Sequence, residues 1–163
     1  HPSTEVNRYI SEDTYDNFLR DYLETGDILF STVGSLGIVS IIPRNFYGCI
    51  IQNVVGFRTN NRLLNYFLYF VQLSEIGSHL INYSSKGNIQ GSVKVSNYVP
   101  LKIPLPPLQE QQEIVDYLDQ KTQKIDSQVE KETKRVELLK EYRNAFISEV
   151  VTGKIDVREE MVA

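Results

Sequence analysis

The sequence predicts an α/β (α+β) fold, in which a mixed globular domain of short strands and loops precedes one long projecting coiled-coil helix. The first observation is a change in composition near residue 107. Residues 1–106 hold eight of the ten Tyr, six of the seven Phe and eight of the nine Gly in the chain of 163 residues. The second observation is a heptad repeat of apolar residues after this point. We therefore predict a globular domain over residues 1–106 and a long helix with a C-terminal tail over residues 107–163.

The elements of the globular domain are predicted from short apolar runs and the turn residues that bound them. A short helix or a turn is expected over residues 11–21, and a Gly26-Asp27 turn should precede the first strand. The second strand should end at Pro43, because proline cannot donate to a strand ladder. Aromatic residues at helical spacing predict a second helix, buried on most sides. The predicted strands are residues 28–30, 38–42, 49–57, 93–95 and 102–105, and the second helix is residues 65–73.

The second part of the sequence predicts one helix from about residue 108 to about residue 152. Pro107 is compatible with a helix start, and Gly153 is typical of the residue after a helix end. The preceding segment, residues 101–108 (LKIPLPPL), predicts a stiff, extended connector. A lone helix cannot bury its own apolar stripe, so we expect a covering helix from another copy, from the rest of the parent protein or from a partner subunit. The predicted interface residues, called the heptad stripe below, are Val115, Leu118, Ile125, Val129, Val136, Leu139, Phe146 and Val150.

The sequence argues against several kinds of chemistry. His1 and His79 are its two histidines and lie far apart, and Cys49 is its single cysteine, so we expect no catalytic residue, no metal site and no bound cofactor. The run at residues 34–37 lacks the Lys and Ser/Thr of a P-loop. No apolar run approaches the roughly 20 residues needed to cross a bilayer. We expect a cytoplasmic protein without membrane contact, since one cysteine is what a reducing compartment permits.

Two polar loops of the globular domain contain residue types that contact nucleic acids. The small residues of loop 31–37 (STVGSLG) let backbone amides approach a phosphate, although the glycines equally fit a tight connection between strands. Loop 84–92 (SSKGNIQGS) adds a lysine for phosphate contact and amide side chains for adenine readout. Two arginines flank a further polar turn, and the alternative for each residue is an ordinary solvated position. The candidate DNA-binding residues are Thr32, Ser35, Arg58, Asn60, Arg62, Lys86, Asn88 and Gln90.

The charge balance of the globular domain is unusual for a protein that binds nucleic acid alone. Residues 1–106 carry eight Lys and Arg and eight Asp and Glu, and the whole chain has a net charge of −4. Nucleic-acid-binding domains usually present an excess of basic side chains. We therefore expect a partner to share the phosphate contacts.

The helical part carries long motifs that are similar to those of one known family. Residues 105–115 (LPPLQEQQEIV), 138–143 (LLKEYR) and 151–157 (VTGKIDV) closely resemble the conserved helical region of specificity (S) subunits of type I restriction–modification systems. In the globular domain, residues 26–31 (GDILFS) and 87–90 (GNIQ) resemble the target recognition domain of that family.

This resemblance implies a sequence-specific DNA recognition module that performs no chemistry itself. The implied partners are double-stranded DNA, methyltransferase (M) subunits and a motor-nuclease (R) subunit, with S-adenosylmethionine, ATP and Mg bound by those subunits and not by this chain. One recognition domain and one helix correspond to half of the usual S subunit, directed at one half of a bipartite DNA site. The recognition domain is expected to be incomplete at its N-terminus. Two alternatives remain: a coiled-coil protein-interaction adaptor without DNA binding, and a small hydrolase that uses His79.

Overall fold

The computed structural model describes residues 9–18, 22–46, 48–50, 53–85 and 92–158. The chain divides into two compact units, the first ending at Leu118 and the second beginning at Asp119. The domain division predicted from composition, between residues 106 and 107, stays a prediction. The helices and strands, in chain order, are α1 (Glu12–Phe18), β1 (Ile28–Ser31), β2 (Val39–Ile41), β3 (Val54–Phe57), α2 (Asn65–Leu73), α3 (Glu75–Ser85), α4 (Val95–Tyr98) and α5 (Leu108–Val151).

The first unit is built around a three-stranded antiparallel sheet with the strand order β2-β1-β3. Ile28 of the central strand pairs with Ile41 on one side and with Phe57 on the other. Ile28 and Phe30 are buried and alternate with half-buried residues, as expected for a strand with one face towards a core. The apolar run at residues 28–30 after the Gly26-Asp27 turn therefore predicted this central strand.

Three predicted strands and both predicted helices of this unit have counterparts in the structure. The predictions at residues 28–30 and 38–42 are confirmed as β1 and β2, and the prediction at residues 65–73 is confirmed as α2. The third strand is shorter than predicted, because it begins only at Val54. The first helix is confirmed as α1, while residues 19–21 of its predicted range lie outside the described part of the chain.

Two predicted strands near the end of the first unit are wrong. Residues 102–105 form no strand, because Pro104 within this segment and the two prolines that follow it favour an extended connector without ladder bonds. Residues 93–95 were predicted as a strand because valine favours strands, but Val95 begins the short helix α4. Val93 is buried in the core, so tertiary packing overrides the local preference of these valines.

The first core cluster joins residues of β1, α3 and α4. Phe30, Ile81, Val93 and Tyr98 are buried in it. The ring centroids of Phe30 and Tyr98 lie 5.1 Å apart. Burial raises the pKa of the Tyr98 hydroxyl, which donates a hydrogen bond to Oε1 of the buried Gln72. This hydrogen bond satisfies a polar group that would otherwise be costly to bury.

The second core cluster joins α2 to the first turns of α5. Phe67, Val71 and Val115 are buried together in it. Val115, predicted as part of the heptad stripe, is therefore a core residue of the first unit instead. The stripe turns inward at this residue because α2 supplies the apolar surface that a partner helix was expected to supply.

Helix α3 has no counterpart among the predicted elements. Ser74 separates it from α2, and Ser74 Oγ accepts a hydrogen bond from the N–H of Ile76 at 3.2 Å. A serine in this position is a typical N-terminal cap. His79 lies within α3 and is exposed.

Helix α5 is a single helix of 44 residues, which confirms the long helix and both of its predicted ends. At its start the N–H of Gln111 donates to the carbonyl oxygen of Pro107 at 3.0 Å. At its end Gly153 has φ +72°, and the N–H of Lys154 donates back to the carbonyl oxygen of Glu149 at 2.9 Å. This C-terminal motif places a residue in the left-handed region, where glycine is favoured.

Candidate nucleic-acid interface

The sheet divides the candidate DNA-binding residues between two opposite ends. β1 runs from Ile28 to Ser31, and both of its neighbours are antiparallel to it. The loop after β1 therefore lies at what we call the Ser31 end, and the segment after β3 lies at the Ile28 end. A strand of four residues spans about 13 Å, so the two groups form separate surfaces. Thr32 and Ser35 are at the Ser31 end, and Arg58, Asn60 and Arg62 are at the Ile28 end.

The loop at the Ser31 end is held closed by the side chain of Ser31. Its Oγ donates to the carbonyl oxygen of Ser35 at 2.5 Å and accepts from the N–H of Ile38 at 2.9 Å. Ser35 is exposed, whereas only 8 % of Thr32 is exposed. Ser35 can therefore reach a ligand from this loop, while Thr32 is an interior residue.

The two glycines of this loop differ in how closely other residues approach them. Gly37 has φ +77°, and a Cβ atom there would lie 2.4 Å from Cδ1 of Ile81 in α3. This close approach supports the structural interpretation of the loop, in which glycine permits a tight connection. Gly34 has φ +80° with open space around it. The loop backbone is therefore accessible near Gly34 and packed near Gly37.

Three further candidates, Lys86, Asn88 and Gln90, lie outside the described residues. On the C-terminal side of their segment, the N–H of Val93 donates to the carbonyl oxygen of Thr32 at 2.8 Å. This hydrogen bond brings the exposed Lys94 to the Ser31 end. Lys94 was not among the candidates, because the valines on either side of it favoured a strand.

Arg58 is the centre of an ion-pair network at the Ile28 end. Its Nε and Nη2 donate to the two carboxylate oxygens of Asp27 at 2.9 and 2.8 Å, and Nη2 also donates to the carbonyl oxygen of Tyr22 at 2.8 Å. Nη1 lies 2.8 Å from Oε1 of Glu24. All three guanidinium nitrogens thus contact groups of this chain, which gives Arg58 a structural role. The prediction that it also contacts DNA stays a prediction.

Asp27 is buried, and its ionisation depends on Arg58. Burial by itself would raise the pKa of the carboxyl group, but hydrogen bonds from Arg58 and from the N–H of Glu24, together with the positive charge of Arg58, hold the pKa below its usual 3.8. A carboxyl group with a lowered pKa in the folded state stabilises the fold above its unfolded pKa. This contribution is lost as the pH falls through the folded-state pKa.

The Arg58→Met variant should therefore lose most stability at neutral pH. Removing the guanidinium leaves the Asp27 carboxylate buried without its partner, which costs about 3 kcal/mol of unfolding free energy. The difference from wild type should shrink as the pH falls towards 3, because burial without Arg58 raises the pKa of Asp27 and protonation then relieves the unpaired charge. Urea denaturation at pH 7 and pH 3 measures both values. Arg135→Met removes an exposed arginine 3.7 Å from Glu132 and should change little. An equal loss for Arg58→Met at both pH values would contradict this account.

Asn60 and Arg62 lie on a tight turn at the same end of the sheet. The carbonyl oxygen of Asn60 accepts from the N–H of Leu63 at 3.2 Å, and its Oδ1 accepts from the N–H of Arg62 at 3.0 Å. The second bond is typical of an Asx turn. Both Asn60 and Arg62 are exposed, and among the described residues the Arg62 guanidinium has no hydrogen-bond or ion-pair partner. This segment, residues 60–63, is called the Arg62 turn below.

A further arginine at the Ile28 end was not among the candidates. Arg44 follows Pro43 in the turn after β2 and is exposed. The N–H of Ile42 donates to the carbonyl oxygen of Asp27 at 2.8 Å, which places this turn beside the start of β1. A proline followed by arginine directly after a strand was the available signal. The Ile28 end thus carries Arg44 and Arg62 as exposed cations.

The backbone of the Arg62 turn is held by a buried side chain of α5. Gln111 has 0 % exposure. Its Oε1 accepts from the N–H of Leu64 at 2.9 Å, and its Nε2 donates to the carbonyl oxygens of Arg62 at 2.9 Å and Pro106 at 2.8 Å. One amide group therefore connects the turn, the proline-rich connector and the first turn of α5.

A cleft of about 390 Å³ lies next to the Arg62 turn. Amide side chains and the half-exposed ring of Tyr66 are groups that contact bases by hydrogen bonding and stacking. The cleft lies within the first unit. Its lining residues are Thr59, Asn60, Leu63, Leu64, Asn65, Tyr66, Gln112 and Val115.

In the second unit the heptad stripe is exposed to solvent. Ile125, Val129 and Leu139 are each more than half exposed, and Val136 and Phe146 more than two-fifths. Val150, at the C-terminal end of the stripe, is partly buried, as is Leu118, the last residue of the first unit. An exposed stripe of this length is typical of a surface that packs against another helix.

Additional apolar residues widen this surface near the C-terminal end of α5. The rings of Tyr142 and Phe146 are stacked, with centroids 6.2 Å apart and 20° between their planes. The heptad count included Phe146 but missed Tyr142, which lies beside the stripe, although its four-residue spacing from Phe146 was visible in the sequence. The added exposed residues are Leu138, Tyr142, Ile147 and Val151.

The described residues contain no group of three or more His, Cys, Asp or Glu side chains that could hold a metal ion. In the same part of the chain, no helix has the length and apolar character needed to cross a membrane. Cys49 is an unpaired, partly buried thiol.

A family model for the type I restriction modification DNA specificity domain matches residues 5–138. The chain belongs to this family. The matched range covers the sheet, helices α1–α4 and most of α5. The resemblance to specificity subunits that the sequence motifs indicated is thereby confirmed.

Two known proteins agree with the family assignment. The type I restriction enzyme MjaX specificity subunit of Methanocaldococcus jannaschii is 30 % identical over 152 residues, which are 93 % of this chain and 34 % of that protein. A chain from a solved structure concerning complex assembly and conformational transition of the type I R-M system matches with a TM-score of 0.68 and 23 % identity. That match covers 80 % of this chain and 31 % of the other, and shows a shared fold. This specificity domain thus spans about a third of the length of each relative.

Proposed function

We propose that this specificity domain recognises DNA sequence and directs methyltransferase and endonuclease subunits of a type I restriction–modification enzyme to one half of a bipartite DNA site. Membership of the DNA specificity domain family supports the substrate class. The observation that supports a direct contact between this chain and DNA is the Arg62 turn. There the Arg62 guanidinium is exposed while its backbone is held by hydrogen bonds. A fixed backbone with a free cation is suited to contacting a phosphate or a guanine edge.

The Ile28 end is the better supported DNA-facing surface among the described residues. It carries the exposed Arg44 and Arg62, whereas the Ser31 end carries Lys94 and the hydroxyl of Ser35. An arginine side chain offers several donors in a planar arrangement. It therefore binds a phosphate or a guanine edge better than a serine hydroxyl does. The Ser31 end can add polar contacts, but it supplies less positive charge.

Helix α5 is proposed to carry the protein partners. Its exposed heptad stripe fits a second helix, from another copy of the chain or from the rest of a full-length S subunit. The part of the chain after residue 107 holds nine Lys and Arg against thirteen Asp and Glu. Because this excess of negative charge repels DNA phosphates, the polar faces of α5 are better suited to binding the M and R subunits. Specificity subunits are non-catalytic components of these complexes, and we propose that S-adenosylmethionine, ATP and Mg are bound by the partner subunits.

The alternative function is a coiled-coil adaptor that binds no DNA. The exposed stripe on α5 favours it as much as it favours the S-subunit function, because both need a helical partner. The two functions differ in what the first unit does. A salt-dependent interaction of the first unit with duplex DNA occurs only in the first of them.

Arg62→Ala should weaken DNA binding by the assembled methyltransferase for all duplexes to a similar degree. A lost phosphate contact releases about one counterion fewer, so the slope of log K against log salt concentration should flatten by about one. Fluorescence anisotropy titrations at several salt concentrations measure affinity and slope together. Arg135→Ala removes the same charge from α5 and should leave both unchanged. If Arg62→Ala retained the wild-type affinity and slope, the Arg62 turn would be no part of the DNA-binding surface.

A further inference from the structure

Gln111 is a buried amide at a position of α5 where packing against an apolar core alone would favour an apolar side chain. It is a polar side chain on α5 with 0 % exposure, in a helix whose other buried residue is Val115. A buried amide without partners would destabilise the fold, yet here three of its hydrogen-bonding sites are used by backbone groups. Two of the three partners, Arg62 and Leu64, lie in or beside the Arg62 turn, 49 and 47 residues away along the chain.

The start of α2 depends on this amide. Leu64 is the N-terminal cap residue of α2 and has no side-chain capping hydrogen bond of its own. In a capping box, a Glu or Gln of the same helix accepts the backbone N–H of the cap residue. Gln111 supplies the same acceptor from a different helix, at 2.9 Å from the N–H of Leu64.

The backbone of Arg62 is fixed on both sides. Its N–H donates to Oδ1 of Asn60 at 3.0 Å, and its carbonyl oxygen accepts from Nε2 of Gln111 at 2.9 Å. The guanidinium of Arg62 remains exposed. Holding the backbone before binding reduces the conformational entropy that the contact would otherwise lose.

We propose that Gln111 is a positioning residue for DNA recognition, which fixes the Arg62 turn to the first turn of α5 so that Arg62 is held ready for DNA. The inference rests on the proposed DNA-binding function and adds a residue that does not itself touch DNA. Within the first unit, one buried amide thus holds both the Arg62 turn and the first turn of α5.

The test compares two isosteric substitutions in the chain assembled with its methyltransferase subunits. Gln111→Glu keeps the acceptor for the N–H of Leu64 but removes the donors to Arg62 and Pro106. Gln109→Glu introduces the same charge on the exposed face of the same helical turn, where Gln109 contacts Glu113 at 3.1 Å. We expect the Kd for duplex DNA to rise at least about fivefold for Gln111→Glu, as for the loss of the hydrogen bond to the Arg62 carbonyl oxygen, and to stay unchanged for Gln109→Glu.

A double-mutant cycle with Arg62→Ala separates positioning from general loss of structure. If Gln111 acts through Arg62, Gln111→Glu should have no further effect on Kd in the Arg62→Ala background. A similar loss in both backgrounds, or wild-type affinity of a folded Gln111→Glu chain, would overturn the proposal. Gln111→Asn retains the amide on a shorter side chain and replaces Gln111→Glu if circular dichroism shows that the latter is unfolded. For Gln111→Asn, too, a similar loss in both backgrounds or wild-type affinity of the folded chain would overturn the proposal. Absence of DNA binding by the wild-type complex would instead overturn the proposed function, and this inference with it.

Discussion

Replacing Leu139 by aspartate should abolish the association of α5 with its helical partner while leaving the first unit folded. Leu139 is 58 % exposed in the single chain and lies in the middle of the heptad stripe. Burying a leucine side chain in a helix interface contributes about 2–3 kcal/mol, and burying an unpaired carboxylate opposes association further. Association should therefore weaken by at least about 100-fold.

Sedimentation velocity and copurification with the methyltransferase subunit measure this effect. Ser127→Asp is the matched control, because it adds the same charge at an exposed residue of α5 on the face opposite the stripe. Wild-type sedimentation mass together with unchanged copurification of Leu139→Asp would show that the stripe is not the association surface.

Phe30→Ala should be the most destabilising single change in the first unit. Phe30 is 1 % exposed on the central strand, and its ring lies 5.1 Å from that of Tyr98 and 6.1 Å from that of Phe57. Truncating a buried phenylalanine removes burial and leaves a cavity, which together cost about 3–5 kcal/mol. The midpoint of urea denaturation should fall accordingly. Tyr9→Ala, at an aromatic residue that is 83 % exposed, should change the unfolding free energy by less than about 0.5 kcal/mol. Similar urea midpoints for Phe30→Ala and Tyr9→Ala would contradict the assignment of Phe30 to the core.

The elements that could be predicted from the sequence are those indicated by residues that are neighbours along the chain. Helix α5 was predicted at both ends, because a sustained apolar repeat, a proline at its start and a glycine after its end all indicate the same helix. The central strand was predicted from three apolar residues between turn signals. Helix α3 was missed, since its sequence EIGSHLINYSS contains glycine, serine and asparagine, which are poor helix formers. Its stability comes from packing Ile81 into the first core cluster.

In the candidate site, too, the features formed by adjacent residues were predictable, and the contacts between residues far apart in the sequence were not. Asn60 and Arg62 were recognised as a polar turn from adjacent residues, and the structure places them on one. The ion pair between Arg58 and Asp27 joins residues 31 positions apart, and the hydrogen bonds of Gln111 join residues 47 and 49 positions apart. Such contacts depend on the folded topology, so a single sequence gives no indication of them. For the same reason the heptad count assigned Val115 to an interface with a partner helix, whereas it packs in the second core cluster.

The central claim, that this specificity domain reads DNA sequence, is tested most directly by selecting duplexes from a randomised library with the methyltransferase assembled around this chain. The account predicts that the recovered duplexes share one defined sequence. It also predicts that Arg62→Ala lowers the yield of every recovered duplex. Recovery of duplexes without any common sequence, or no recovery above that of the complex lacking this chain, would contradict the claim.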